Sequence, residues 1–238
     1  MLWMITATVC AFYIKGLCGF ANTLVFTSIL SFKINNINIS PVELILGCPS
    51  NVIIAWKERN YIQWKICMPL VALVLAGSIP GIVLLKNADT SLIKVIFGFV
   101  VILIGIEMLL RERQTAKLKQ SKIVLFIIGI LSGILCGLYG IGSLLAAYIG
   151  RVTNDSKAFK ANICMVFIIE NTFRIIMYCV TDIISLAVIK QVIVLIPAML
   201  LGLWLGIKSS AYLNERYVRR LVIIMLIISG AALVVNNI

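Results

Sequence analysis

Glu170 and Arg174 stand four residues apart within the apolar run Ile168-Ile-Glu-Asn-Thr-Phe-Arg174. That spacing brings opposite charges together on one helix face. It reads equally as a structural ion pair or as machinery for an ionic substrate or a proton. Asn171 and Thr172 lie between them, while Ser50 and Asn51 occupy the middle of another apolar run, Gly47-Cys-Pro-Ser-Asn51. At an offset of 121 residues, Ser50 and Asn51 match Asn171 and Thr172. Hydrogen-bonding side chains inside membrane-length apolar sequence are costly, so two equivalent polar patches predict a site where they face each other.

A second pair of features repeats at the same offset. Lys15-Gly-Leu-Cys-Gly-Phe-Ala-Asn22 carries Gly16, Leu17 and Gly19, matched by Gly137, Leu138 and Gly140 in Gly137-Leu-Tyr-Gly-Ile-Gly-Ser143. Glycine is a poor residue for a helix interior, so two helix breaks are predicted at equivalent places in two repeats. Helices restarting after Gly19 and Gly140 present unpaired N–H groups and the positive end of a dipole, to which Asn22, Thr23 and Ser143 can add donors. Such ends attract anions. With Arg174 and Lys15 at hand, an anionic substrate is favoured, Glu170 being the dissenting group. For Lys15 the alternative is a side chain that snorkels to the cytoplasmic interface.

The elements that must hold these groups follow from composition. At 62% hydrophobic and a mean hydropathy of +1.11, the 238 residues exceed what a soluble domain carries, so an all-α integral membrane protein is expected. The net charge of +12 sits in short connectors facing headgroups, which argues against nucleic acid as a partner. Residues 1–14 lack Lys and Arg and precede no small-residue cleavage site, so they are expected to stay as the first segment.

Ten apolar pieces are expected, at 2–14, 16–32, 41–56, 66–85, 92–110, 123–136, 138–149, 159–178, 183–207 and 217–235. Those beside Gly16 and Gly137 are shorter than the roughly 20 residues a spanning helix needs, and read as half-helices or tight hairpins. Connectors 57–65, 111–122, 151–160 and 208–220 hold fifteen Lys and Arg, against four in and beside the alternate connectors. The positive-inside rule places the first set in the cytoplasm. Five pieces per half, with the basic linker 111–122 between 1–110 and 123–238, then make two inverted-topology repeats.

Gly77 and Gly81 match Gly202 and Gly206 at an offset of 125, with the small-xxx-small spacing that favours close helix packing over a substrate role. The seven cysteines read as buried small hydrophobes. There is no histidine and no phosphate-binding Gly-x-x-x-x-Gly-Lys-Ser/Thr loop, so neither an enzyme nor an ATP-driven pump is indicated, and no cofactor or metal is implied.

The broken first segment of each half, the Pro-Ser-Asn span, the Gly-x-x-x-Gly span and the basic central loop together resemble the sulfite exporter TauE/SafE family from about residue 14 to 235. The resemblance implies about eight spans in duplicated halves, a bacterial cytoplasmic membrane, and movement of sulfite, organosulfonates or related sulfur anions with protons or down their own gradient. Family members tend to be richer in glycine at the first break, where this chain has Gly16, Gly19 and Ala21. The expectation is therefore a secondary transporter for a small anion, working by one repeat rocking against the other, with lipid as its surroundings. The alternatives are a passive anion channel and a membrane scaffold without a substrate.

Overall fold

The structure, a computed structural model, describes residues 2–31, 36–87, 122–140, 142–153, 156–210 and 212, with isolated residues between 95 and 110 and between 217 and 235. Among them the chain is helical without strands. The helices are α1 (Leu2–Cys18), α2 (Asn22–Ser31), α3 (Asn36–Lys57), α4 (Trp64–Asn87), α5 (Lys122–Tyr139), α6 (Ser143–Val152), α7 (Ser156–Val180) and α8 (Leu186–Ser209). Segments of α3 and α4, with α7 and α8, are long and apolar enough to cross a membrane; α1 and α5 are shorter apolar helices. Exposed apolar side chains such as Met68, Ile79, Ile193 and Trp204 suit a lipid surround. The basic linker 111–121 lies outside the described residues.

Both breaks have the same local chemistry. Gly19 and Gly140 take the left-handed conformation at φ +86° and +72°. Their N–H groups return to the carbonyls of Lys15 at 2.6 Å and Cys136 at 2.7 Å, the single-bond glycine cap that ends a helix. The following helices start at Asn22 and Ser143, again 121 residues apart. Ala21 is also left-handed, at φ +73°, a conformation that costs a residue with a Cβ roughly 1–2 kcal/mol.

Gly16 and Gly137, expected as breaks, instead lie inside α1 and α5. Each is small because another backbone passes over it. A Cβ on Gly16 would stand 2.6 Å from the Leu203 carbonyl, and one on Gly202 2.5 Å from that of Val9. On the other pair, a Cβ on Gly81 would stand 2.5 Å from the Ile134 carbonyl and 3.0 Å from Gly137 Cα. Close approach of this kind is the use of small residues between membrane helices.

The tightest pairings are therefore α1 with α8 and α4 with α5. Helices α3 and α7 meet across the centre, α3 also touches α8, and α7 touches α4. Each short helix, α2 or α6, packs on the helix before and the helix after it. Exchanging α1–α4 with α5–α8 maps this set of pairings onto itself. At one end, Asn162 of α7 accepts from Gln63 N at 2.7 Å and donates to the Tyr61 carbonyl at 3.3 Å, fixing the turn between α3 and α4.

The cysteines divide. Cys67, Cys136 and Cys164 are buried, whereas Cys10 and Cys179 are exposed on the apolar exterior, so the expectation that all seven are buried does not hold. A thiol is apolar enough to tolerate such a face.

Candidate functional site

The two breaks converge on one small polar cavity of about 20 Å³, room for little more than a water molecule. The first break supplies Phe20, Ala21 and the opening turn of α2 from Asn22 to Leu24; the second supplies Gly140 and Gly142. Lys15, Asn51 and Asn171 complete the polar wall together with Glu43. At the start of each following helix the leading N–H groups have no partner within the helix, so two positive helix ends stand at this cavity.

Glu43 belongs to the wall, and Gly47 stands close behind it, although the sequence pattern does not single either out as a site residue. The Glu43 carboxylate accepts a hydrogen bond from Asn22 Nδ2, with Thr23 next to them in the wall. One turn on, a Cβ on Gly47 would lie 3.2 Å from Glu43 Oε1, 3.5 Å from Asn22 Nδ2 and 3.7 Å from Asn171 Nδ2. The missing side chain is what lets these three groups meet. Glu43, Gly47 and Asn51 follow each other at four-residue steps and so share one face of α3. Asn51 Oδ1 is buried with no hydrogen-bond partner among the described residues.

The same periodicity corrects the expected patches. Asn51 and Asn171 reach the cavity, but Ser50 and Thr172 do not, because adjacent helix positions point about 100° apart. Ser50 Oγ donates to the Gly47 carbonyl at 2.6 Å, and exposed Thr172 donates to that of Ile168 at 2.7 Å. Gly19 shapes the first break without lining the cavity: its carbonyl accepts from Cys164 Sγ at 3.4 Å, and a Cβ there would stand 2.8 Å from Lys160 Cγ. Ser143 begins α6, and its side chain lies outside those described.

Arg174 and Glu170 stand behind the second break. Arg174 Nη1 donates to the Cys136 carbonyl and lies 3.7 Å from Glu170 Oε1. Its guanidinium fills the space a side chain on Gly140 would need, 2.7 Å from that Cβ position. A cation on exposed carbonyls at the end of α5 also complements the helix dipole. Tyr178 supports the guanidinium with its ring 5.8 Å away, and its hydroxyl pairs with Ser40 Oγ at 3.1 Å. The Ser78 hydroxyl donates to the Gly133 carbonyl at 3.2 Å, and Glu170 Oε1 is buried with no hydrogen-bond partner among the described residues. Neither charge is part of the cavity wall.

Lys15 is 1% exposed and lines the cavity, its Nζ 6.0 Å from the centre of the Phe12 ring. The snorkelling alternative thus gives way to a side chain buried among protein groups. With Glu43 counted, two buried acids face two buried bases, and the assumption of few acids near the breaks is corrected. The wall offers donors from Lys15, Asn22, Thr23 and two helix ends, with one carboxylate among them.

The family model for "Sulfite exporter TauE/SafE" matches residues 4–233, nearly the whole chain. No curated protein and no solved structure matches it.

Proposed function

Since the chain belongs to the sulfite exporter TauE/SafE family, a family of multi-pass membrane transporters for sulfur anions, we propose that it carries sulfite, an organosulfonate or a related sulfur anion by alternating access. The observation that carries this reading is the convergence of both helix breaks on one polar cavity between the two halves. The anion is received by Asn22, Thr23, Asn51 and Asn171 with Lys15 as counter-charge, at the positive ends of α2 and α6. Arg174 serves the site by bracing the second break, as Gly140 does by leaving room for it.

The repeats, 1–110 and 123–238 about the linker 111–122, are inverted. Each half combines two crossings, α3 with α4 or α7 with α8, and one hairpin, α1–α2 or α5–α6, that enters and returns, with the apolar sequence 92–110 or 217–235 expected as a third crossing. Four such membrane elements per half give about eight in the chain, with the basic connectors in the cytoplasm of a bacterium. The moving bodies are α1 with α8 and α4 with α5, because glycine contacts lock each pair. Each body mixes helices of both halves, in place of one chain half rocking on the other. The narrowness of the cavity favours this gated cycle over an open channel.

Counterflow in proteoliposomes tests the proposal. Vesicles loaded with unlabelled sulfite or ethanesulfonate are expected to draw in labelled substrate transiently and saturably. Flux that grows linearly with concentration and shows no counterflow would establish a channel, and absence of flux with every sulfur anion would refute transport.

A further inference from the structure

We propose that Glu43 is the proton-carrying residue of this transporter, its carboxylate holding the anion donors when the site is empty and taking a proton when the anion claims them. The inference rests on the transport reading above. Asn22, which opens α2 and would greet an anion, hydrogen-bonds the Glu43 carboxylate, and Thr23 stands beside them in the same wall. Glu43 is 2% exposed and lines the same small cavity. Two negative charges cannot share donors in a space that narrow and shielded, since their repulsion is barely screened there. Protonation removes the charge and turns the carboxylate from an acceptor into a group that can donate to the anion.

The surrounding charges single out this acid. Glu43 faces Lys15 from α1 and, from α7, Arg174, Glu170 and Tyr178, with the Cys136 thiol reaching it from α5. Glu170 has Arg174 at 3.7 Å, and it stands outside the wall. Glu43 instead shares the wall with Lys15. Asn51 Oδ1, buried in that wall without a partner among the described residues, is an independent mark of a space made for an occupant. The cycle balances: one proton enters from water with one anion, and both leave on the other side, restoring the carboxylate to Asn22.

The test uses the full chain and ethanesulfonate, which stays ionised near neutral pH, so any proton taken up belongs to the protein. Calorimetry in two buffers of different ionisation enthalpy is expected to show about one proton bound per anion by the wild type and none by Glu43→Gln. In proteoliposomes an inside-alkaline gradient is expected to drive accumulation of a monoanion up to about tenfold per pH unit. Glu43→Asp keeps that drive, and Glu43→Gln loses it when normalised to its own counterflow rate. Zero proton uptake by the wild type, or a gradient response retained in Glu43→Gln, overturns the proposal while leaving transport standing. A Glu43→Gln protein with no flux at all is decided by the wild-type proton count. A wild type without counterflow of any sulfur anion refutes the transport reading and this inference with it.

Discussion

Replacing Asn51 with leucine separates a substrate contact from a structural one, because the two roles predict opposite signs for stability. Asn51 is 1% exposed, and its Oδ1 has no partner among the described residues. Removing a buried polar atom that is already unsatisfied sacrifices little, and leucine keeps the branched shape. The folded protein is therefore expected to be unchanged or more stable by about 1 kcal/mol, within the 1–3 kcal/mol that an unmet buried group costs. Transport moves the other way. A hydrogen bond to a charged partner contributes roughly 1.5–3 kcal/mol, so its loss weakens anion affinity by about 10-fold to 150-fold. The assay pairs thermal unfolding in detergent with counterflow of labelled ethanesulfonate over a concentration series. Wild-type affinity in Asn51→Leu would refute the placement of the substrate. A melting temperature several degrees lower, with flux falling in proportion, would make Asn51 a packing residue.

Ethanesulfonate at about 100 times its dissociation constant is expected to add roughly 2.7 kcal/mol to stability, seen as a melting shift that matched chloride does not produce. Ala21→Gly should stabilise by about 1 kcal/mol by relieving the left-handed alanine, and an unchanged or lower melting temperature would argue against that strain. Gly133→Val puts a side chain where even a Cβ would stand 2.7 Å from Gly77 Cα. It is expected to cost about 3 kcal/mol or more in thermal stability, and a neutral result would contradict the α4–α5 contact. Arg174→Met strands buried Glu170 and should cost about 3–5 kcal/mol, most of it recovered in the double variant with Glu170→Gln; additivity in that cycle would deny the pair.

The sequence is legible where a repeated pattern has one physical cause. Left-handed glycine caps at Gly19 and Gly140 follow from glycine in matched contexts, and the helices restarting at Asn22 and Ser143 follow from those caps. Gly16 and Gly137 share the motif yet sit inside helices, because a glycine required by another backbone looks the same in sequence as one required by φ. Ser50 and Thr172 were not separable from their neighbours without a helix phase, and once Glu43, Gly47 and Asn51 define that phase they fall away from the cavity. Glu43 carried a signal all the same. It is an acid within the apolar piece 41–56, subject to the reasoning that marks Glu170, but near the end of that piece, where interface and interior are hard to tell apart. The placement of Arg174 behind the second break rather than in the wall required the Cys136 carbonyl, a backbone partner that no side-chain pattern announces.

The glycine contacts also set a schedule for biogenesis. The partner of α4 is α5, and the partner of α1 is α8, the last of the eight labelled helices to be synthesised. While the ribosome is still making the second half, the first half waits in the bilayer with Gly16, Gly77 and Gly81 bare on its surface. Those grooves admit any helix with a glycine stripe, including one from a neighbouring nascent chain. Correct assembly then depends on α5 and α8 filling those grooves before another small-residue helix does.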